Sequence, residues 1–129
     1  MNVVGVGIDA VDLDRFRTVL ARTPSIRTRV FTASELSYAN EATDPTERLG
    51  ARFAAKEATM KALGVGLGAF ALSDVEVILA DSGAPSLVLH RGARRVAGER
   101  GVTQMLVSMT HTATQAQAIV LAGGAMSGS

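Results

Sequence analysis

The feature that most constrains this 129-residue chain is a long, alanine-rich helix predicted between residues 44 and 64. The segment Asp44-Pro45-Thr46-Glu47 is a strong helix start, with an acidic cap, proline at the first helical position and Glu three residues after the cap. Gly64 supplies the C-terminal stop. Small residues occur within the helix at Ala54, Ala55, Ala58 and Ala62. The helix is therefore expected to pack closely against another element.

The same helix holds the only two lysines of the chain, Lys56 and Lys61, on either side of Glu57. A lysine ammonium is a mobile point charge that suits phosphate oxygens. Phe53, Glu57 and Lys61 share one face by i, i+4 spacing, while Lys56 lies in a neighbouring row with Arg52. Two interpretations stay open. One is ordinary surface pairing of Glu57 with Lys61, and the other is an anion site that includes the glycine-rich turn after the helix.

The rest of the chain mixes short strands with helices, which predicts an α+β fold in one domain. Strands are predicted at residues 3–8, 75–79, 87–89, 105–109 and 116–121. Helices, besides the long one, are predicted at about 12–22, 33–39 and 93–100. The domain is expected to span residues 1–122, followed by a flexible Gly/Ser-rich tail over 123–129.

Composition excludes several classes of function. The chain has no cysteine, which rules out disulfides and thiolate metal sites. A net charge of +1 and 4% aromatic residues argue against a nucleic-acid-binding module that uses the arginines. No apolar run approaches the roughly 20 residues needed to span a bilayer, and the N-terminus lacks the basic and apolar regions of a signal peptide. We therefore expect a cytoplasmic protein with no nucleic-acid or membrane partner.

Asp9 and His111 are further candidates for chemistry. Asp9 ends the apolar segment Gly5-Val6-Gly7-Ile8-Asp9, where it either caps a turn or serves as a ligand of a hard metal ion. Mg²⁺ takes one or two protein carboxylates and completes its shell with water and phosphate oxygens, so Asp9 and Glu57 would suffice if the fold brings them together. His111 lies among hydroxyl side chains at a predicted strand end, either as a turn residue or as a phosphate contact.

Four motifs, in order along the chain, closely resemble the holo-acyl-carrier-protein synthases, the short trimeric class of 4′-phosphopantetheinyl transferases. These motifs are Gly5-Val6-Gly7-Ile8-Asp9, Phe31-Thr32-x-x-Glu35, residues 51–58 with Lys61-Ala62-Leu63-Gly64, and Val107-Ser108-Met109-Thr110-His111. The resemblance covers residues 3 to about 121. It implies an antiparallel sheet packed against a long central helix, in a homotrimer with active sites between subunits.

The resemblance also implies a reaction and the residues that carry it. The 4′-phosphopantetheine arm of coenzyme A would pass to a serine of an apo acyl carrier protein, releasing adenosine 3′,5′-bisphosphate. By motif position, Asp9 and Glu57 would hold Mg²⁺ against the pyrophosphate, and Lys61 would contact that pyrophosphate. The serine comes from the partner, so this chain needs no activated serine of its own. Glu57 is our hypothesis for the general base that removes the serine proton, directly or through a metal-bound water.

The implied cofactor-binding residues are Arg52, Lys61, Ser108 and His111. Arg52 and His111 fall at the adenosine and 3′-phosphate end of coenzyme A, and His111 is expected to serve a neighbouring subunit's site. The chain departs from the family at Ala84, where a basic residue is usual, and at Leu106, where a histidine is usual. Coenzyme A is therefore bound either more weakly or with the help of other arginines.

Arginines cluster on and after the first predicted helix, with no acidic residue between Asp14 and Glu35. Because the implied carrier proteins are acidic, Arg15 and Arg22 suit docking, with Arg17 as a further candidate. The alternative is an ordinary solvated helix face. A rival function is a non-catalytic module that binds coenzyme A or a carrier protein, but both metal carboxylates are present, which argues against it. The sequence leaves open whether the carrier serves fatty-acid or polyketide biosynthesis.

Overall fold

A three-stranded antiparallel sheet lies against the long helix that the sequence predicts. The computed structural model describes residues 1–125, whose elements are β1 (Asn2–Asp12), α1 (Leu13–Arg22), α2 (Ile26–Val30), α3 (Ala33–Ala39), α4 (Thr46–Ala62), β2 (Val75–Leu79), β3 (Pro85–Leu89), α5 (Arg91–Glu99), β4 (Val102–His111) and β5 (Gln115–Gly124). In the sheet, β5 lies between β1 and β4, and β2 and β3 form a separate hairpin. The predicted α+β class, with an antiparallel sheet on a central helix, is confirmed.

Side-chain hydrogen bonds stabilise the starts of α3 and α4. Thr32 and Glu35 form the predicted capping box at the start of α3, each accepting a backbone N–H bond from the other. At the start of α4, Pro45 is the cap residue, so the helix begins one residue later than predicted. The Asp44 carboxylate still stabilises this start, because Thr46 donates to it from its backbone N–H (3.0 Å) and its hydroxyl (2.6 Å). These two bonds lower the pKa of Asp44 to about 2.

Glycines allow β1 to lie directly on α4. A Cβ atom at Gly7 would be 1.8 Å from the Ala58 carbonyl oxygen, and one at Gly5 would be 1.9 Å from the Ala62 carbonyl oxygen. Alternate residues of a strand point to the same face, so Asp9 shares the helix-facing side of β1 with both glycines. The predicted close packing of α4 is confirmed, and it aims the Asp9 side chain toward the helix.

The hydrophobic core forms between the sheet and α4. The inner face of β5 contributes Ala118, Val120 and Ala122, which pack with Ala54, Ala55 and Ala58 of α4 and with Phe16 and Phe31. A second cluster, which includes Met60, Val75, Ala93 and Val96, packs α5 against the other end of α4. Alanines and glycines at the sheet–helix contact leave little room, so the position of β1 along α4 is closely determined.

Several elements differ from the sequence-based expectations; β4, for example, spans Val102–His111 rather than 105–109. β1 continues three residues beyond Asp9, because Ala10, Val11 and Asp12 still pair with β5, so Asp9 lies within the strand rather than at its end. The short helix α2 was not predicted, since its N-cap makes no side-chain hydrogen bond that a sequence pattern could reveal. β5 extends to Gly124, and residues 126–129 of the expected tail lie outside the described residues.

Candidate active site

Asp9, Glu57 and Lys61 come together where β1 crosses α4. The Lys61 ammonium donates to the Asp9 carboxylate (3.2 Å) and to the Ile8 backbone carbonyl (2.9 Å). Glu57 lies one helical turn before Lys61 on the same face of α4. The Asp9 side chain is 20% exposed and the Lys61 side chain 54%, so the group is open to solvent on one side. The structure thus joins residues that lie 52 positions apart in sequence.

The pKa of Glu57 reflects the charges that surround it in this site. Partial burial raises its pKa above the ordinary 4.5, and the nearby Asp9 carboxylate raises it further, while Lys61 opposes both effects. Two carboxylates in one partly buried place repel each other when both are ionised. The Lys61 ammonium relieves part of that repulsion, and a bound cation would relieve more of it while both groups stay charged.

The donor set of Asp9 and Glu57 fits a hard divalent cation such as Mg²⁺. Both residues supply carboxylate oxygens, the ligand type that Mg²⁺ prefers. Within residues 1–125, no group of three or more His, Cys, Asp or Glu side chains is placed to hold a metal ion. Two protein carboxylates leave most of an octahedral shell for water or for phosphate oxygens of a substrate, so this place suits a metal bound together with its substrate.

A groove of about 540 Å³ opens beside the two carboxylates, and we call it the carboxylate groove. Its walls are mainly apolar side chains of α1, α2 and α4. These are Phe16, Val19, Ile26, Val30 and Phe53, and Asp9, Glu57 and Arg15 are among the polar lining residues. Phe16 is also part of the core, as predicted. The groove can hold an apolar segment of a partner next to the reacting centre.

A second cavity of about 460 Å³, here called the arginine cavity, contains Arg52 and His111 together with Arg48, Tyr38 and Glu47. The Arg52 side chain is buried, and its guanidinium carbon lies 4.5 Å from the centre of the Tyr38 ring. His111 lies at the end of β4, as predicted, and its Nε2 is 3.2 Å from a Glu47 carboxylate oxygen. The structure therefore brings Arg52 and His111 to one cavity.

Ser108 lies on the other side of the sheet. It pairs with Ile119 of β5, which pairs in turn with Ile8 of β1, and these residues face away from α4. Within one chain the structure therefore does not bring Ser108 to the Asp9–Glu57 pair. The same outward face carries exposed apolar side chains at Val4, Val6, Ile8, Leu106 and Ile119.

Lys56 has a structural role, in contrast to Lys61. Its side chain is fully buried and donates to Glu35 (2.8 Å) and to the backbone carbonyls of Leu72 and Val75. The same Glu35 accepts from the backbone N–H groups of Thr32 and Val77, both at 2.9 Å. Lys56 therefore fixes α4 to α3 and β2 and is unavailable to a phosphate. Of the two lysines that suggested an anion site, only Lys61 can contact one.

The arginines predicted to dock a partner differ in whether they already pair with a carboxylate. Arg15 and Arg22 are exposed on α1. Arg17 is held by two carboxylates, Asp14 at 2.9 Å and Asp44 at 3.0 Å. Since Arg17 is already neutralised, Arg15 and Arg22 are the better candidates on this helix.

Sequence reasoning missed Arg48, Tyr38 and Glu47. Arg48 donates to the Tyr38 backbone carbonyl (2.8 Å), and its guanidinium carbon lies 4.2 Å from the centre of the same ring. The i, i+4 spacing of Arg48 and Arg52 on α4 could have revealed that they share a face. Nothing in the sequence indicates that the Tyr38 side chain, which comes from α3, packs on that face of α4.

Comparisons with known proteins agree with this geometry. A model of the 4′-phosphopantetheinyl transferase superfamily matches residues 5–119. The chain is 46% identical over 122 residues to the holo-[acyl-carrier-protein] synthase of Frankia casuarinae, covering 95% of this chain and 98% of that protein. It is 42% identical over 115 residues to the enzyme of the same name from Moorella thermoacetica, covering 89% and 90%.

The fold is also similar to that of solved structures. A holo-(acyl-carrier-protein) synthase from Bacillus anthracis, in complex with CoA (3′,5′-ADP), superposes with a TM-score of 0.80 at 30% sequence identity. The match covers 97% of this chain and 100% of that one. The similarity therefore extends over nearly the whole chain, including the sheet and the central helix.

Proposed function

The chain belongs to the 4′-phosphopantetheinyl transferase superfamily, as a holo-[acyl-carrier-protein] synthase, and on this premise we propose a Mg²⁺-dependent transfer mechanism. The enzyme transfers the 4′-phosphopantetheine arm of coenzyme A to a serine of an apo acyl carrier protein. Adenosine 3′,5′-bisphosphate is the proposed second product. The observation that carries the mechanism is the group formed by Asp9, Glu57 and Lys61 where β1 crosses α4.

The chemistry requires neutralisation of charge and accurate positioning more than covalent help from the protein. Bound at Asp9 and Glu57, Mg²⁺ would supply charge stabilisation at the pyrophosphate. Lys61 is the proposed contact of a pyrophosphate oxygen, which is supported by its half-exposed side chain and by the ion pair of its ammonium with Asp9. Glu57 is the proposed acceptor of the serine proton, directly or through a metal-bound water.

The carboxylate groove supports the proposed docking of the carrier protein. It is lined both by the two carboxylates, near which the partner's serine must arrive, and by apolar side chains of α1 and α2. Arg15 lines the groove, and Arg22 is exposed at the end of the same helix. An acidic carrier helix with one apolar face suits this combination of charge and apolar surface.

The outward face of the sheet supports the proposed homotrimer. Five large apolar side chains there are 41–62% exposed in the single chain, at Val4, Val6, Ile8, Leu106 and Ile119. Contiguous apolar patches of this kind commonly mark protein interfaces. A second copy packed on this face would also give Ser108, which lies on it, access to a neighbouring site.

The test is transfer of phosphopantetheine by Asp9→Asn and Glu57→Gln variants, each of which removes one negative charge. Both are expected to lose at least about 10²-fold in rate, because a misplaced metal forfeits several kcal/mol of charge stabilisation. Glu99→Gln is the matched control, since Glu99 is an exposed carboxylate on α5 that pairs only weakly with Arg95. Wild-type rates in either site variant would refute the metal assignment.

A further inference from the structure

A fully buried ion pair lies one residue away from Glu57, the proposed metal ligand. The side chains of Lys56 and Glu35 are both 0% exposed, and the Lys56 ammonium donates to a Glu35 carboxylate oxygen at 2.8 Å. Lysine and glutamate are among the residues least often fully buried in proteins. Replacing a buried ion pair by apolar side chains is often neutral or even stabilising, so stability alone is a weak reason for charges at this place.

The Lys56 ammonium joins α4 to three other segments of the chain. An ammonium has three N–H donors, and its acceptors here are Glu35 of α3 and the backbone carbonyls of Leu72 and Val75. The Glu35 carboxylate is fixed in turn by two backbone N–H groups, each at 2.9 Å. Because hydrogen bonds are directional, these contacts hold the Lys56 side chain in one direction relative to the axis of α4.

The contact between α4 and β1 restrains the helix in a different way. A Cβ atom at Gly5 or Gly7 would lie 1.9 Å or 1.8 Å from a carbonyl oxygen of α4, so this contact sets how closely the strand approaches. Small apolar groups make no directional bonds, however, and they resist rotation of α4 about its own axis only weakly. The hydrogen bonds of Lys56 supply the missing restraint on that rotation.

Rotation of α4 decides where the Glu57 carboxylate lies. Successive residues of an α-helix are held about 100° apart, so Glu57 turns together with Lys56. A rotation of about 15° moves an atom that lies about 6 Å from the helix axis by about 1.5 Å. Functional groups must be held within about 0.5 Å of their productive positions, so such a shift would separate Glu57 from its place beside Asp9.

We propose that the Glu35–Lys56 pair positions the metal site, because it fixes the rotation of α4 and thereby directs Glu57 toward Asp9. Neither residue of the pair lines the carboxylate groove or the arginine cavity, so both are positioning residues that act through Glu57. This inference rests on the proposed function, since it concerns the binding of Mg²⁺ together with coenzyme A at Asp9 and Glu57.

The experiment is calorimetric titration with coenzyme A, once with Mg²⁺ and once with a chelator, and the ratio of the two affinities is the gain due to the metal. The wild-type protein is expected to bind more tightly with Mg²⁺. The double variant Glu35→Gln/Lys56→Met removes both charges together, so it buries no unpaired charge. It should lower the gain about tenfold, because one charge-assisted contact is misplaced, and leave the affinity in chelator unchanged.

Two further variants complete the comparison. Glu35→Asp keeps both charges but retracts the carboxylate by one methylene, so it should lower the gain by a smaller factor. Val96→Ala is the control, because it removes apolar contacts from the core cluster between α5 and α4 without touching the ion pair. This control should lower the melting temperature and leave the gain unchanged.

Two results would overturn the inference: a folded double variant that keeps the wild-type gain, or one that loses affinity equally with and without Mg²⁺, as a general distortion of the site would produce. Thermal unfolding shows whether each variant is folded at the temperature of the titration. Should the double variant not fold, the same two criteria apply to Glu35→Asp. A wild-type protein that shows no gain contradicts the proposed metal site and the inference together, whereas a wild-type gain that the variants retain contradicts the inference alone.

Discussion

Gly7→Ala tests whether close packing of β1 on α4 is what places Asp9 in the site. The new Cβ would lie 1.8 Å from the Ala58 carbonyl oxygen, 2.7 Å from the Ala62 backbone nitrogen and 2.8 Å from the Ala58 carbonyl carbon. All three neighbours are backbone atoms of a helix, so no side chain can rotate away. Since real Cβ contacts are essentially never under 3.0 Å, the strand must move away from the helix by about 1 Å.

The magnitude follows from that displacement. Overpacking of a well-packed core costs about 1–3 kcal/mol, and we expect about 3 kcal/mol here because the obstruction is backbone. Asp9 lies two residues further along the same face of β1, so it moves with the strand. A misplacement of about 1 Å at a reacting centre can lower the rate about 10²-fold. Transfer should therefore fall even under conditions where the variant remains folded.

Denaturant unfolding and the rate of phosphopantetheine transfer are the two measurements. Gly98→Ala is the matched control, because nothing lies within 4 Å of a Cβ at Gly98 on α5. That substitution should stabilise the protein by about 0.5–1 kcal/mol, since alanine is the better helix former. A Gly7→Ala variant with wild-type stability and wild-type rate would show that the packing argument is wrong.

Three further predictions follow from other contacts. Glu35→Ala should lower the free energy of unfolding by about 3–5 kcal/mol, measured by denaturant titration, because it leaves the buried Lys56 ammonium without its partner; a loss under about 1 kcal/mol would contradict this. The pKa of Glu57 is raised in the folded protein, so folding is favoured when Glu57 is protonated. This contribution to the free energy of unfolding is fully present below pH 4.5 and is lost as the pH rises through the raised pKa. Glu57→Gln should therefore raise the melting temperature of the metal-free protein at pH 7 and give no gain below pH 4.5. An equal gain at both pH values would show that the pKa of Glu57 is not raised. Arg15→Glu should raise the KM for the carrier protein with little change in the KM for coenzyme A, and equal changes in both would place the docking surface elsewhere.

Local patterns predicted most of the fold. The start and stop of α4, the capping box at Thr32 and the β2–β3 hairpin each depend on a few neighbouring residues, and the structure has them close to where the sequence placed them. Strand ends were less predictable, because pairing partners rather than local residues decide how far a strand continues. β1 runs past Asp9 only because β5 is long enough to pair with it.

The sequence alone does not determine the different roles of the two lysines. Both flank Glu57, and both suit a phosphate by residue type. Their roles diverge because α4 is covered on the side of Lys56 by α3 and β2, while Lys61 emerges beside β1. That difference depends on tertiary contacts up to 53 residues apart, which the spacing within the helix does not contain.

The arginine cavity was likewise beyond local patterns. Motif position indicated Arg52 and His111, and the structure brings both to one cavity, but it buries Arg52 and leaves Arg48 accessible. The decisive element is the Tyr38 ring, which comes from α3 and contacts both arginines. Whether these arginines compensate for the basic residue that is missing at Ala84 stays a prediction.

The central claim is Mg²⁺-dependent transfer of phosphopantetheine, and intact mass of an acyl carrier protein measures it most directly. The purified chain is incubated with apo carrier protein and coenzyme A in three ways: with Mg²⁺, with a chelator, and with Mg²⁺ restored in excess of the chelator. The account predicts a mass gain of one phosphopantetheine group in the first and third incubations and none in the second. No gain on several different carrier proteins would contradict the enzymatic function, and an equal gain in the presence of chelator would contradict the metal site at Asp9 and Glu57.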